Sequence, residues 1–359
     1  MKILAVVGAR PNFMKMAPIM RAIKSRSPDV SQTLVHTGQH FDEKMSDVFF
    51  RELELPKPDE HLGVSGGSHA TQTARIMTEF EPVLEKHRPD WMVVVGDVNS
   101  TMACSLVAAK MQVAIAHVEA GLRSRDNSMP EEINRKVTDA ISNLLLTPSP
   151  DGDANLIAEG VEPERIVCVG NVMIDSLVRA LPKIDQNDTV ARLGLNSKDY
   201  VLATLHRPSN VDEPAMLRQL VEALNEVAST QTVVFPVHPR TRGRLEREQI
   251  RLADGVKMID PLGYFDFMAL MRSADVVMTD SGGVQEETTY LGVTCLTVRP
   301  NTERPITVDQ GTNRLVKPGK ETLLTAWHEV KQTPPPRRCP ELWDGKAAER
   351  IADALLLQI

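Results

Sequence analysis

Polar side chains that could do chemistry stand just after short apolar runs along this chain. Gly8-Ala9-Arg10-Pro11-Asn12-Phe13-Met14-Lys15 puts two cations about one helical turn apart, suited to clamping a phosphate or a carboxylate. Gly96-Asp97-Val98-Asn99 sets a carboxylate where a helix-capping aspartate would also stand. His117-Val118-Glu119-Ala120-Gly121 places in a short loop a glutamate that no capping preference explains. Pro130-Glu131-Glu132 puts acids in a first helical turn, where the helix dipole favours negative charge with or without chemistry. Three carboxylates in one cleft repel one another. One of Asp97, Glu119 and Glu131 is therefore expected to hold a proton and serve as an acid.

The second half repeats the arrangement. His206-Arg207-Pro208 ends an apolar run, a place for a base or a phosphate contact. In Thr279-Asp280-Ser281-Gly282-Gly283 a buried run stops and small residues open a helix, making an anion site suited to a diphosphate. Glu287, one turn further on, is placed to accept hydrogen bonds from a ribose diol. Thr302-Glu303-Arg304-Pro305 supplies another cation and Val237-His238-Pro239 another histidine. Residues 267–271, Phe-Met-Ala-Leu-Met, have the spacing of core packing, with Phe267 also able to flank a base.

Other chemistries find little support. There is no G-x-G-x-x-G for a nicotinamide cofactor, no G-x-S-x-G around Ser281, and no close histidine pair for zinc, so neither a cofactor nor a metal is expected. The four cysteines lie far apart and read as small buried hydrophobes of a reducing compartment. With 41 Lys+Arg against 48 Asp+Glu the net charge is −7, which disfavours a nucleic-acid surface. The apolar run at 3–8 is too short for a signal peptide, and no 18-residue apolar stretch occurs, so a cytoplasmic protein with no membrane partner is expected.

The elements that must position these residues are βα units. Apolar runs at 3–7, 33–36, 91–95, 114–117 and 144–147, each followed by helical spacing, predict one doubly wound parallel sheet. Runs at 200–205, 232–236, 256–259, 276–279 and 293–298 predict a second. The expected α/β domains are 1–170, joined by a C-terminal helix within 345–359, and 171–344, with a proline-rich break at 333–340.

Taken together and in order, these blocks resemble the non-hydrolysing UDP-N-acetylglucosamine 2-epimerases over nearly the whole chain. Lys15-Met16-Ala17-Pro18, Thr37-Gly38-Gln39-His40, His117 to Arg123, Pro130-Glu131-Glu132-x-Asn134-Arg135, Pro236-Val237-His238-Pro239 and 279–287 carry most of the likeness. The resemblance implies two Rossmann-like domains facing a cleft, as in B-type glycosyltransferases, with the last helix crossing back to the first. It also implies a homodimer that makes surface-polysaccharide precursors. Asp97, Glu119, Glu131 and His206 then match the catalytic positions. Arg10, Lys15, His238, Phe267, Ser281, Gly282, Gly283, Glu287 and Arg304 match the UDP-sugar site, with Leu262 meeting uracil through its backbone. The implied reaction eliminates UDP across C1–C2 to 2-acetamidoglucal and adds it back with protonation on the other face. Two departures stand out: Gly8-Ala9-Arg10-Pro11-Asn12 for Gly-Thr-Arg-Pro-Glu, and His206-Arg207-Pro208-Ser209 for His-Arg-Arg-Glu, near which a second UDP-sugar activates bacterial members. They put that activation in doubt and admit a modified sugar such as a 2,3-diacetamido uronic acid. A hydrolysing epimerase and a glycosyltransferase of the same architecture are the competing readings.

Overall fold

Strands this continuously apolar need cover on both faces, and each apolar run forms a parallel strand flanked by helices. The structure, a computed structural model, describes residues 1–38 and 57–358. Contacts divide the chain into two units, Met1–Val178 with Glu341–Ile359, and Arg179–Pro340.

The first unit holds a sheet of β1 (Lys2–Val7), β2 (Ser31–His36), β3 (Glu60–His61), β4 (Trp91–Val95), β5 (Ala114–Val118), β6 (Leu144–Thr147) and β7 (Ile166–Cys168). Their order is β3-β2-β1-β4-β5-β6-β7, all parallel. Side chains alternate across it: Ile3, Ala5 and Val7 pack with the helices Arg10–Arg26 and Ala347–Leu356, whereas Leu4 and Val6 pack with His69–His87 and Asn99–Lys110. The last helix belongs to this unit. The Asp175 carboxylate accepts the N–H groups of Ala347 (3.1 Å) and Ala348 (2.7 Å) at its start, and Trp343 Nε1 donates to the Pro148 carbonyl at 3.0 Å.

The second sheet comprises β8 (Tyr200–Thr204), β9 (Thr232–Pro236), β10 (Val256–Ile259), β11 (Val276–Thr279), β12 (Thr294–Val298) and β13 (Asn313–Val316), in the order β10-β9-β8-β11-β12-β13. The apolar-run criterion misses β3, β7 and β13 for one reason. All three lie at sheet edges, where a strand can be short and, as at exposed Arg314, polar. The cysteine expectation needs correction too. Cys104 and Cys295 are buried, but Cys168 is half-buried and Cys339 exposed, in a proline-rich stretch with no core to enter. Among the described residues no helix is long and apolar enough to cross a membrane.

Buried His36, paired with the more exposed His61, gives the first unit an acid sensitivity. His36, 2% exposed, stacks on Phe13 with ring centroids 5.0 Å apart, and its Nδ1 lies 2.9 Å from His61 Nε2. The Gly63 N–H donates to His61 Nδ1 at 3.2 Å, so His61 carries its proton on Nε2 and donates it to His36. Burial, and then the neighbouring His61, push His36 down to about 4. An unfolded histidine takes up its proton near pH 6.5, before the folded one does. Stability from keeping His36 neutral is therefore complete above pH 6.5 and disappears as the pH falls towards 4, about 3 kcal/mol in all. Urea unfolding of wild type and His36→Gln across this window should show a shallower pH slope in the variant; equal slopes would refute the assignment.

Candidate active site

In open α/β sheets ligands bind beyond the carboxyl ends of the strands, where the strand order reverses. In the first sheet that point lies between β1 and β4. Lys15, on the helix after β1, is buried and pairs through Nζ with Glu119 Oε2, beyond β5. Glu119 has φ +68°, a left-handed backbone that costs a non-glycine residue roughly 1–2 kcal/mol. Its N–H holds the Leu146 carbonyl at 3.0 Å, and the Ala120 N–H holds the same oxygen at 3.2 Å. Strain of this kind, locked by the neighbouring strand, accompanies sites that need a side chain in one place.

Asp97, beyond β4, is gripped from the helix Pro130–Ile141. Arg135 Nη1 binds its Oδ2, and Asn134 Nδ2 donates to its carbonyl at 2.8 Å. Arg135 is itself braced by Glu132 Oε2 at 2.7 and 3.1 Å, and Glu132 accepts the N–H groups of Ser124 and Arg125. Burial works against ionising Glu132, but Arg135 and Ser124 outweigh it and hold the carboxyl below the usual range. Glu131, on the same helix, is half-buried with no hydrogen-bond partner among the described residues. The three acids do not stand as three bare charges. Asp97 and Glu119 each face a cation of their own, Arg135 and Lys15.

Behind these loops lies a buried charged network. His117 Nδ1 meets Asp139 Oδ1 at 2.6 Å and its Nε2 the Gly96 carbonyl at 2.9 Å. Asp139 Oδ2 accepts the Gly121 N–H at 3.1 Å and pairs with Arg123 at 2.7 Å. The loops carrying Asp97 and Glu119 are tied to one carboxylate. At Gly121, φ +79°, an added Cβ would lie 2.4 Å from the Gly152 carbonyl oxygen, so only glycine fits.

In the second sheet the order reverses between β8 and β11. His206, beyond β8, is exposed, and its Nδ1 lies 2.8 Å from Oδ1 of fully buried Asp280, beyond β11. Ser281 precedes the helix Gly282–Leu291; its N–H is taken by Thr279 Oγ1 at 3.0 Å, whereas the N–H groups of Gly282 and Gly283 have no acceptor within the helix. His238, beyond β9, is exposed and caps the helix Pro239–Arg247 by accepting the Arg240 N–H on Nδ1 at 3.2 Å. Leu262 and Phe267, beyond β10, are half-buried, the first in a loop and the second in the helix Tyr264–Ser273; Met268, Ala269, Leu270 and Met271 fill the core.

Arg304 is not the freely offered cation that its sequence position suggests. It is buried, with Nε 2.7 Å from Glu286 Oε1 and Nη1 on Glu303, which also binds Arg299 at 2.9 Å. Glu287 is buried on the same helix as Glu286. The side chain of Arg10 and residues Gln39 and His40 lie outside the described residues.

Each sheet therefore carries its candidates beyond the carboxyl ends of its strands, with Lys15 and Asp97 flanking the first switch point and His206 and Asp280 the second. A family model described as UDP-N-acetylglucosamine 2-epimerase matches residues 21–356. The chain belongs to that family. Among relatives, the UDP-N-acetylglucosamine 2-epimerase of Methanocaldococcus jannaschii is 41% identical over 99% of both chains. The UDP-2,3-diacetamido-2,3-dideoxy-D-glucuronate 2-epimerase of Pseudomonas aeruginosa is 44% identical over 90% of both. A crystal structure of the M. jannaschii epimerase in complex with UDP-GlcNAc and UDP shares the fold, with a TM-score of 0.90, 40% identity, and 99% of this chain and 100% of that one covered. The family is one of isomerases built on two Rossmann-like α/β units, the fold class expected from the βα runs.

Within this epimerase, the sequence alone assigned no site role to Arg135, Asn134, Asp139 or Asp280. Each has a local signal, because a charged or amide side chain at a fully buried helix or strand-end position needs a reason. What the string does not carry is the partner: Arg135 and Asn134 reach Asp97 from the next βα unit, and Asp280 meets His206 from the far side of the β8–β11 pair.

Proposed function

We propose that this epimerase interconverts UDP-N-acetylglucosamine and UDP-N-acetylmannosamine without net hydrolysis, as a cytoplasmic homodimer. The observation that carries the reading is 41% identity along the whole length to the M. jannaschii epimerase, whose crystal structure holds UDP-GlcNAc and UDP. The C2 proton is not next to a carbonyl, so removing it alone would leave an unstabilised carbanion. In the proposed route a base takes that proton while the C1–O bond breaks and the electron pair leaves with UDP. UDP oxygen then re-adds to C1 of the glycal, and an acid protonates C2 on the opposite face.

Asp97, Glu119 and Glu131 are assigned to the C2 proton and His206 to the departing diphosphate. The N–H groups of Gly282 and Gly283, with His238, Ser281, Arg10 and Lys15, are assigned to the phosphates. Glu287 is assigned to the ribose, and Leu262 and Phe267 to the base. Arg304, held between Glu303 and Glu286, acts as a spacer that fixes the start of the 282–291 helix as much as it acts as a charge. An added Cβ at Gly282 would lie 2.8 Å from Glu303 Oε1.

A second reading is specifically favoured by the P. aeruginosa relative, which matches at 44% identity: a diacetamido uronic acid in place of the acetamido sugar. Proton NMR in D₂O with each UDP-sugar decides. Deuterium at C2 of both epimers at a stable ratio supports epimerisation of that substrate, and free N-acetylmannosamine accumulating with UDP overturns the non-hydrolysing assignment. A third expectation concerns regulation. Pro208 opens the short helix Pro208–Val211 and Ser209 follows, where the family resemblance implies Arg and Glu. Initial rates should rise hyperbolically with UDP-sugar, and a Hill coefficient clearly above one would sink the idea.

A further inference from the structure

We propose that Asp280 is the positioning residue for His206: its buried carboxylate draws the imidazole proton to Nδ1, so that Nε2 faces the ligand as the acceptor and proton-taking atom. This rests on His206 taking part in the proposed reaction. Asp280 is 0% exposed, yet it has a full set of donors. The backbone N–H of His206 approaches both of its oxygens at 3.1 Å, the Arg207 N–H binds Oδ2 at 2.9 Å, Asn210 Nδ2 binds it at 3.0 Å, and His206 Nδ1 meets Oδ1 at 2.8 Å. Burial would push this carboxyl up, but His206, Arg207 and Asn210 more than offset that and hold it below the usual range. A carboxylate only accepts, so the ring nitrogen facing it must carry hydrogen. Among the described residues Nε2 makes no hydrogen bond, and the side chain is 55% exposed.

The contrast with His238 sharpens the assignment. There Nδ1 accepts a backbone N–H, so the neutral ring carries its hydrogen on Nε2. Neighbouring strands β8 and β9 thus present opposite imidazole tautomers: an acceptor at His206 and a donor at His238. A lone pair repels a phosphate oxygen, so His206 engages a diphosphate by taking a proton on Nε2, and the Asp280 carboxylate stabilises the cation that results. The same arrangement orients the histidine of hydrolytic triads.

The test begins without any variant. Long-range ¹H–¹⁵N spectra of ligand-free wild-type protein, with His206 assigned by His206→Asn, should show hydrogen on Nδ1 and none on Nε2 at pH 8; hydrogen on Nε2 alone overturns the proposal. The second arm is Asp280→Asn. The backbone N–H groups of His206 and Arg207 will keep the asparagine oxygen, so its NH₂ faces Nδ1 and forces the proton to Nε2. Turnover should fall roughly 10²-fold or more, with KM changing less than about threefold. In a His206→Asn background the same substitution should cost less than about twofold, whereas equal losses in both backgrounds would make Asp280 a structural residue only. If wild type epimerises neither UDP-sugar the functional reading fails, and the spectrum still decides the tautomer.

Discussion

Asp97→Asn should lower C2 deuterium exchange about 10³-fold or more while leaving UDP affinity within about threefold. The amide keeps the size of the carboxylate and loses its basicity, and a positioned general base contributes roughly 10²–10⁴-fold. This variant is a cleaner probe than Glu119 because of what surrounds it. Removing the charge leaves Arg135 paired with Glu132 through two contacts, so no buried cation is stranded and the fold should survive. Glu119→Gln is the poorer test, since it would leave Lys15 buried without its carboxylate. Calorimetric titration with UDP beside NMR exchange separates binding from chemistry. Exchange within tenfold of wild type would remove Asp97 from the proton transfer.

The second large effect is expected away from the reacting atoms. Asp139→Ala should destabilise the first unit by about 3–5 kcal/mol, the usual cost of stranding one partner of a buried ion pair. That corresponds to a melting midpoint lower by on the order of 10 °C. Asp139 is 1% exposed and faces His117, Arg123 and the Gly121 N–H together. Burial alone would raise its carboxyl, and the charges and hydrogen bonds of His117 and Arg123 reverse that and hold it down. An exposed ion pair gives the control: Arg26 lies on Asp353 and Glu349 at the surface, and Asp353→Asn should leave the midpoint where it was. Similar melting of the two variants would show that the buried network is not what holds these loops. Residual Asp139→Ala enzyme should also lose turnover, because the Gly121 anchor and the His117 contact to the Gly96 carbonyl set both acid-bearing turns.

The strand cores 91–95, 144–147, 232–236 and 276–279 were legible to the residue, because burial on both faces demands uninterrupted aliphatic runs. The edge strands β3 and β13 were not, since an edge carries no such demand. The places of Asp97, Glu119, His206 and Ser281 just past strand ends were also legible, since that is where a doubly wound sheet sets polar groups.

What one strand tip does to another was settled only by tertiary structure. Strand order sets β8 beside β11 and β4 beside β5, although 71 residues separate the last residue of β8 from the first of β11. By sequence alone Asp97, Glu119 and Glu131 were three like charges in conflict, and Arg304 was a free cation. In the folded chain Arg135 faces Asp97, Lys15 faces Glu119, and Glu286 and Glu303 hold Arg304. Residue type and spacing set which groups stand at the carboxyl ends of the strands, because that is local chemistry. The meetings of Arg135 with Asp97, of Lys15 with Glu119 and of His206 with Asp280 depend on contacts of about 3 Å or less between segments far apart in sequence, and only packing of the sheets sets those.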